Sequence, residues 1–128
     1  MQTITFNKEG GPIIAEVTSG FAQPGAYGLK LWEKGANQVV MRQEGNFIND
    51  DDDAYPLPEP NELNDGRLIQ SVVSLTILPP INEYNVTLKI SQDGKELGSV
   101  SVSNKTSEQS VILNLFATLK QKEQRETA

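Results

Sequence analysis

Apolar and polar residues alternate one by one along most of this 128-residue chain. The apolar members of the alternating stretches are Ile4 and Phe6; Ile13, Ala15 and Val17; Tyr27, Leu29 and Leu31; Val39 and Met41; Ile69, Val73, Leu75 and Ile77; Val86, Leu88 and Ile90; Val100 and Val102; and Val111, Leu113 and Leu115. Because successive side chains of a strand point to opposite faces, this alternation indicates strands that each bury one face. About eight short strands predict an all-β domain over residues 1–119, a single antiparallel β-sandwich whose arrangement (Greek-key, immunoglobulin-like or C2-like) stays open.

Asp93 followed by Gly94 is the clearest turn signal in the chain, since a two-residue type I′ hairpin needs positive φ at both central positions. A regular hairpin around this pair would place a serine opposite Leu88 on the core face. One extra residue in the second strand would bring valines to that face instead. We therefore predict a β-bulge at Gly98 or Ser99.

The C-terminal end carries the only candidate helix, over residues 116–125, where Lys, Gln and Glu dominate. This stretch has no apolar stripe with which to pack on a core. We expect residues 120–128 to form a frayed polar tail.

Negative charge is concentrated in one segment. The chain has 17 acidic and 11 basic residues. Eight of the acidic residues lie between positions 44 and 66, a stretch without Lys or Arg: Glu44, Asp50, Asp51, Asp52, Asp53, Glu59, Glu62 and Asp65. The remainder of the chain is nearly balanced, so any charged partner of this segment should be cationic. The three prolines of residues 46–66 favour a loop there.

Calcium is the one cofactor that this segment suggests, since Ca²⁺ takes six to eight oxygen ligands and clustered carboxylates supply them. The spacing of Asn49, Asp51 and Asp53 matches the first three ligands of an EF-hand. Ala54 and Pro60 stand where that motif needs Gly and Glu, so only a different calcium site is possible. Its candidate ligands are Asp51, Asp53, Glu59 and Asp65, with Glu62 as a further choice.

Several large apolar residues interrupt the acidic segment, among them Tyr55 and Leu57. A purely solvated loop has no use for them. Either they fix the segment to the body of the domain, or they dock on a partner after the aspartates have attracted it.

Trp32 falls on the face of its strand opposite to Tyr27, Leu29 and Leu31. If those three residues are in the core, the indole points outward, where it can stack on a sugar ring or anchor a protein partner. The other interpretation is that Trp32 covers the sheet beneath a loop. The full set of candidate binding residues is Asp50, Asp51, Asp52, Asp53, Tyr55, Leu57 and Trp32.

The absence of both Cys and His removes several functional classes. Disulfides, thiolate zinc sites, cysteine nucleophiles and serine–histidine triads are excluded. Paired carboxylates can hydrolyse glycosides, but one of them must be desolvated, which a proline-containing surface loop does not favour. The chain has no cluster of Lys or Arg, so we do not expect it to bind nucleic acid or an anionic membrane surface. No signal peptide or transmembrane segment is recognisable, so the default expectation is a cytoplasmic protein.

These observations lead to two functional hypotheses. The first is a non-enzymatic binding module whose contact surface is the acidic loop 46–66 and whose partner is a protein with a basic surface. The alternative is a calcium-dependent adhesion or carbohydrate-binding module. Oligomeric state is left open by the sequence.

Overall fold

The computed structural model describes residues 2–21, 23–47 and 54–123, and these are nearly all β. The strands are β1 (Gln2–Phe6), β2 (Ile13–Ser19), β3 (Gly25–Trp32), β4 (Val39–Asn46), β5 (Ala54–Pro56), β6 (Leu68–Thr76), β7 (Glu83–Gln92), β8 (Lys95–Lys105) and β9 (Ser110–Gln121). A short 3₁₀ helix, Asn61–Asn64, precedes β6. Within these ranges no helix is long and apolar enough to cross a membrane.

The strands form two sheets rather than a barrel. The five-stranded sheet has the order β1-β9-β6-β3-β4, and the four-stranded sheet has the order β5-β2-β7-β8. Six of the seven strand pairings are antiparallel, as predicted, but β1 and β9 pair in parallel. These two strands are far apart in sequence, so no hairpin turn dictates their direction.

The buried apolar side chains of both sheets form one core. Tyr27, Leu29 and Leu31 of β3 are buried, as the alternation predicts. On β4 and β8, by contrast, the inward-facing apolar residues are only partly buried. Both strands lie at the edge of a sheet, where the opposite sheet covers fewer of their neighbours.

The β7–β8 hairpin contains the predicted bulge, but at an earlier position. Asp93 and Gly94 both have positive φ. Ser91 pairs with Glu96 and Ile90 with Gly98, so Leu97 is the extra residue. The proposed bulge at Gly98 or Ser99 is therefore wrong, although the register it was meant to produce is confirmed, with Leu88 opposite Val100 and Val86 opposite Val102.

Ile4 lies close to the position opposite Ile90, which Gly98 occupies. A Cβ atom placed on Gly98 would lie 3.0 Å from Cγ1 of Ile4, so this core-facing position has little space for a side chain. Glycine accordingly takes the position opposite Ile90. This contact joins the two sheets and could not be read from the hairpin sequence alone.

The prediction placed the start of the frayed tail too early, at residue 120, because β9 extends to Gln121. Residues 116–121 continue β9, which pairs with β1 on one side and, up to Thr118, with β6 on the other. Leu115, Ala117 and Leu119 are all buried, so the period of two continues past Leu115. The candidate helix over residues 116–125 is wrong as far as Gln121, and residues 124–128 lie outside the described part of the chain.

Candidate functional site

The acidic segment connects the edges of the two sheets on one side of the molecule. It follows β4, the last strand of the five-stranded sheet, and leads into β5, the first strand of the four-stranded sheet. The candidate residues Asp50, Asp51, Asp52 and Asp53 lie outside the described residues. Their two described flanks are Phe47 and Ala54.

Tyr27 holds both flanks of the aspartate run. Its ring centroid lies 5.4 Å from that of Phe47 and 6.3 Å from that of Tyr55. The hydroxyl groups of Tyr27 and Tyr55 are 2.9 Å apart and share a hydrogen bond. Gly45 makes room for this arrangement, because a methyl group at that position would overlap the Tyr27 ring.

The apolar residues after the run are part of the fold. Leu57 is 3% exposed and belongs to the core. Its N–H donates to the carbonyl of Ile13 at 2.8 Å. Tyr55 is half-buried and pairs with Ala15 across β5 and β2. Leu57 therefore does not offer a contact surface, and the interpretation in which these residues fix the segment to the body describes residues 54–57 correctly.

The 3₁₀ helix fixes the next part of the segment. The side-chain amide of Asn61 donates towards three backbone carbonyls of the β1–β2 loop: Lys8 at 3.4 Å, Gly10 at 3.0 Å and Gly11 at 3.0 Å. Asp65 accepts a hydrogen bond from the N–H of Gln121 at 2.8 Å. The second half of the segment is thus packed along the body and does not protrude as a flap.

The described acidic residues of this segment form no ion pair with a described cation. Between described residues, the ion pairs are Arg67 with Glu33, Lys89 with Glu16, and Lys105 with Glu83. None of them involves a described carboxylate of the acidic segment: Glu44, Glu59, Glu62 or Asp65. The described acidic residues elsewhere that are likewise outside these pairs are Glu9, Asp93, Glu96, Glu108 and Glu123.

The calcium ligands proposed from the sequence are only partly placed. Asp51 and Asp53 fall outside the described residues, whereas Glu59 and Asp65 are both described. In the described ranges no three His, Cys, Asp or Glu side chains are grouped so that they could hold a metal ion.

Glu33 and Arg67 form a two-pronged ion pair beside the 3₁₀ helix. Nη2 of Arg67 lies 2.9 Å from Oε2 of Glu33, and Nε lies 3.3 Å from Oε1. Arg67 is buried, and its Nη1 donates to Oδ1 of Asn64 at 3.2 Å. The hydrogen bond from Arg67, followed by that from the N–H of Lys34, lowers the pKa of the Glu33 carboxyl. No sequence pattern predicted this ion pair.

Trp32 lies on the outer face of the five-stranded sheet, opposite to the buried side chains of β3. Its Nε1 donates to Oε1 of Gln70 at 2.9 Å, and Nε2 of Gln70 donates to Oδ1 of Asn114 at 3.3 Å. The ammonium of Lys30 lies 5.9 Å from the indole centroid. Trp32, Leu68 and Gln70 border an open groove of about 500 Å³ whose other wall is the β3–β4 loop. The polar groups and the half-buried indole share one surface.

The sequence patterns did not predict a second groove. It lies between the β6–β7 and β8–β9 loops, encloses about 500 Å³, and has Leu78 and Ile81 on its wall. Leu78 is 51% exposed. The buried side chain of Gln23 fixes this loop by accepting from the N–H of Leu78 and donating to the carbonyl of Ile81, each at 3.0 Å. The sequence feature that could have predicted this groove is the pair of apolar residues on either side of Pro79 and Pro80. These prolines end the strand, so their apolar neighbours have no sheet to cover them.

No protein-family profile, curated protein or solved structure matches this chain.

Proposed function

We propose that this protein is a non-enzymatic β-sandwich module that binds a basic protein surface through its acidic side, defined as Glu44, Asp50, Asp51, Asp52, Asp53, Glu59 and Glu62. The observation that carries the proposal is the position of Tyr27. Its ring contacts Phe47 before the aspartate run and Tyr55 after it, so the run is tethered at both ends to the rigid edges of the two sheets.

The charge of the acidic side is the second observation that supports the proposal. The described carboxylates of the acidic side form no ion pair with a described cation. Exposed acids elsewhere, such as Glu9 and Glu108, are unpaired as well, so what distinguishes the acidic side is the concentration of its carboxylates in one stretch of the sequence. Unpaired surface charges of one sign produce a local field that accelerates encounter with a partner of the opposite sign. The tethered ends keep that field at one place on the body, which favours a defined contact over diffuse attraction.

The test compares two variants with the same change in net charge. The first replaces Asp50, Asp51, Asp52 and Asp53 by Asn. The control replaces four exposed acids outside the acidic side by Gln: Glu9, Glu96, Glu108 and Glu123. Association with a lysine-rich peptide is measured by stopped-flow fluorescence at low and high salt.

We expect the Asn variant to associate at least tenfold more slowly than the wild type at low salt, with a flatter salt dependence. The association rate of the control variant should fall much less. Equal losses in the two variants would show that overall charge, and not the acidic side, attracts the peptide. Wild-type association that does not respond to salt would also contradict the proposal.

A carbohydrate-binding function is the second candidate, and the Trp32 surface is the observation that favours it. A half-buried indole offers an apolar face for a sugar ring, while Gln70, Asn114 and Lys30 offer donors and acceptors for its hydroxyl groups. Because the chain contains one Trp, tryptophan fluorescence, excited selectively over that of the three tyrosines, reports on this surface alone.

Titration with neutral oligosaccharides of several linkages tests this candidate. Binding at the Trp32 surface should change the fluorescence, and Gln70→Ala should weaken that response, while Ser101→Ala on the other sheet should not. An unchanged spectrum at millimolar concentrations of every oligosaccharide would count against it.

A further inference from the structure

The outer edge of β9 is paired over only part of its length. β6 pairs with one side of β9 from Ser110 to Thr118. On the other side β1 pairs only with residues 117–121. No described strand pairs with the outer side of residues 110–116, which we name the open edge. In a strand with one neighbour, alternate backbone N–H and C=O groups point away from that neighbour, so the open edge presents a row of them.

The core is incompletely covered behind the open edge. Leu115, Ala117 and Leu119, at or close to the part of β9 that β1 covers, are buried. Val111 and Leu113, further from β1, are only partly buried.

The facing strand, β8, is incompletely covered along its whole length, and none of its residues is fully buried. Its inward-facing residues Val100 and Val102 are only partly buried. Next to β1 the gap between the sheets is bridged, because the side-chain amide of Gln2 donates to the carbonyl of Ser99 at 2.8 Å. Beyond that bridge an apolar seam between β8 and β9 remains open to solvent.

The composition of the open edge does not protect it from pairing with another strand. Residues 110–116 read Ser-Val-Ile-Leu-Asn-Leu-Phe, without a charge or a proline. Natural edge strands that must stay unpaired usually carry one or the other. Ile112 points away from the core and is 72% exposed. A short, uncharged stretch of this kind is well suited to pair with a strand like itself.

We propose that the open edge is an interface between two copies of this chain, paired antiparallel about a two-fold axis. Such an interface uses the same patch on both copies, which an uncharged strand permits without repulsion. Glu44 of the acidic side lies on β4, at the far edge of the five-stranded sheet. Two chains of net charge −6 therefore meet at an uncharged stretch of β9 that is remote from Glu44. β1 blocks the rest of the β9 edge and limits the contact to the open edge.

The test uses two lysine substitutions with the same change in charge. Ile112→Lys places a cation on the open edge, and Leu63→Lys places one at a residue that is 48% exposed on the 3₁₀ helix. Both side chains are exposed, so both variants should fold, which circular dichroism and thermal melts verify. Sedimentation velocity then follows association from micromolar to several hundred micromolar protein, and hydrogen exchange follows the amides of residues 110–116.

We expect the wild type and Leu63→Lys to dimerise with concentration, and Ile112→Lys to raise the dissociation constant at least tenfold. Amides of the open edge should gain protection as the wild-type dimer forms. A wild type that stays monomeric throughout the range would overturn the proposal. So would a dimer that Ile112→Lys does not weaken, or one without added protection at residues 110–116. Neither variant alters the aspartates of the acidic side, so this outcome is separate from that of the proposed function.

Discussion

The hydroxyl groups of Tyr27 and Tyr55 lie 2.9 Å apart, one on the five-stranded sheet and the other on the four-stranded sheet. This contact joins strands that share no backbone pairing. It also brings the described residues on either side of the aspartate run, Phe47 and Tyr55, against the same aromatic ring. The packing at Tyr27 therefore fixes the positions of both flanks.

Removing one of these hydroxyls should weaken the link between the sheets. We expect Tyr27→Phe to lower the free energy of unfolding by about 1 kcal/mol, the usual net value of a hydrogen bond. Urea unfolding of Tyr27→Phe, Tyr55→Phe and the double variant measures the coupling of the two groups. Strictly additive losses would mean that the two hydroxyls do not stabilise each other.

Two glycines of the same sheet should respond to alanine in opposite ways. Gly45→Ala would push a methyl group into the Tyr27 ring, and overpacking of this kind costs about 1–3 kcal/mol. Gly28→Ala meets open space, and the loss of backbone freedom in the unfolded chain should leave it neutral or more stable by about 0.5 kcal/mol. Thermal and urea unfolding compare the two, and similar losses at both positions would contradict the assigned packing.

The Glu33–Arg67 pair should make stability depend on acidity. Because the folded protein lowers the pKa of Glu33 from 4.5, the unfolded chain takes up this proton first as the pH falls. The contribution of the pair is therefore present above pH 4.5 and disappears as the pH falls through the lower, folded value. The stability difference between the wild type and Glu33→Gln should shrink from pH 7 to pH 3 in urea unfolding. The exposed Glu108→Gln serves as the control, and a Glu33→Gln deficit that is equally large at both pH values would rule this account out.

Asn61 should be sensitive to a change that preserves its shape. Asn61→Asp replaces a donor with an acceptor in front of three backbone carbonyls, so we expect a loss of about 1–3 kcal/mol or more. The exposed loop residue Asn37 offers the matched substitution Asn37→Asp, which should have little effect. Urea unfolding above pH 6, where the new carboxyl groups are ionised, distinguishes them. A stable Asn61→Asp variant would show that the β1–β2 loop does not depend on this amide.

Thermal melts with and without calcium distinguish the basic-partner proposal from a calcium-dependent module. The basic-partner proposal predicts coincident thermal melts in millimolar calcium and in chelator. A calcium site in residues 46–66 would instead stabilise the folded state by about 2.7 kcal/mol at a hundredfold excess over Kd. Magnesium at the same concentration controls for general screening of the carboxylates.

Local alternation predicted most of the strands because it depends only on which face of each strand is buried. Tyr27, Leu29 and Leu31 follow that rule, and Trp32 follows it on the outer face. For Leu57 the sequence left two interpretations, attachment to the body or docking on a partner, because Pro56 and Pro58 made its surroundings resemble an extended loop; its burial decides for the first. The strand position of Ala117 and Leu119 was not predicted, because the residues that follow them favour a helix. The strand that pairs with them in parallel, β1, is distant in sequence.

The site was harder to predict for the same reason. Gly98 beside the bulge packs against Ile4, and the described parts of the acidic segment are held by Tyr27 and Asn61. Each of these contacts joins residues that are distant in sequence. Charge counting located the negative segment, but only packing shows that its second half is part of the body.

The parallel pairing of β1 with β9 has a consequence for the order in which the sheet is completed. β1 precedes the other described strands in the sequence, and its only sheet neighbour among them, β9, follows all the rest. A contact between residues so distant in sequence requires the closure of a long loop, which makes it slow to form. The edge of the five-stranded sheet is therefore expected to close late in folding, after the local hairpins.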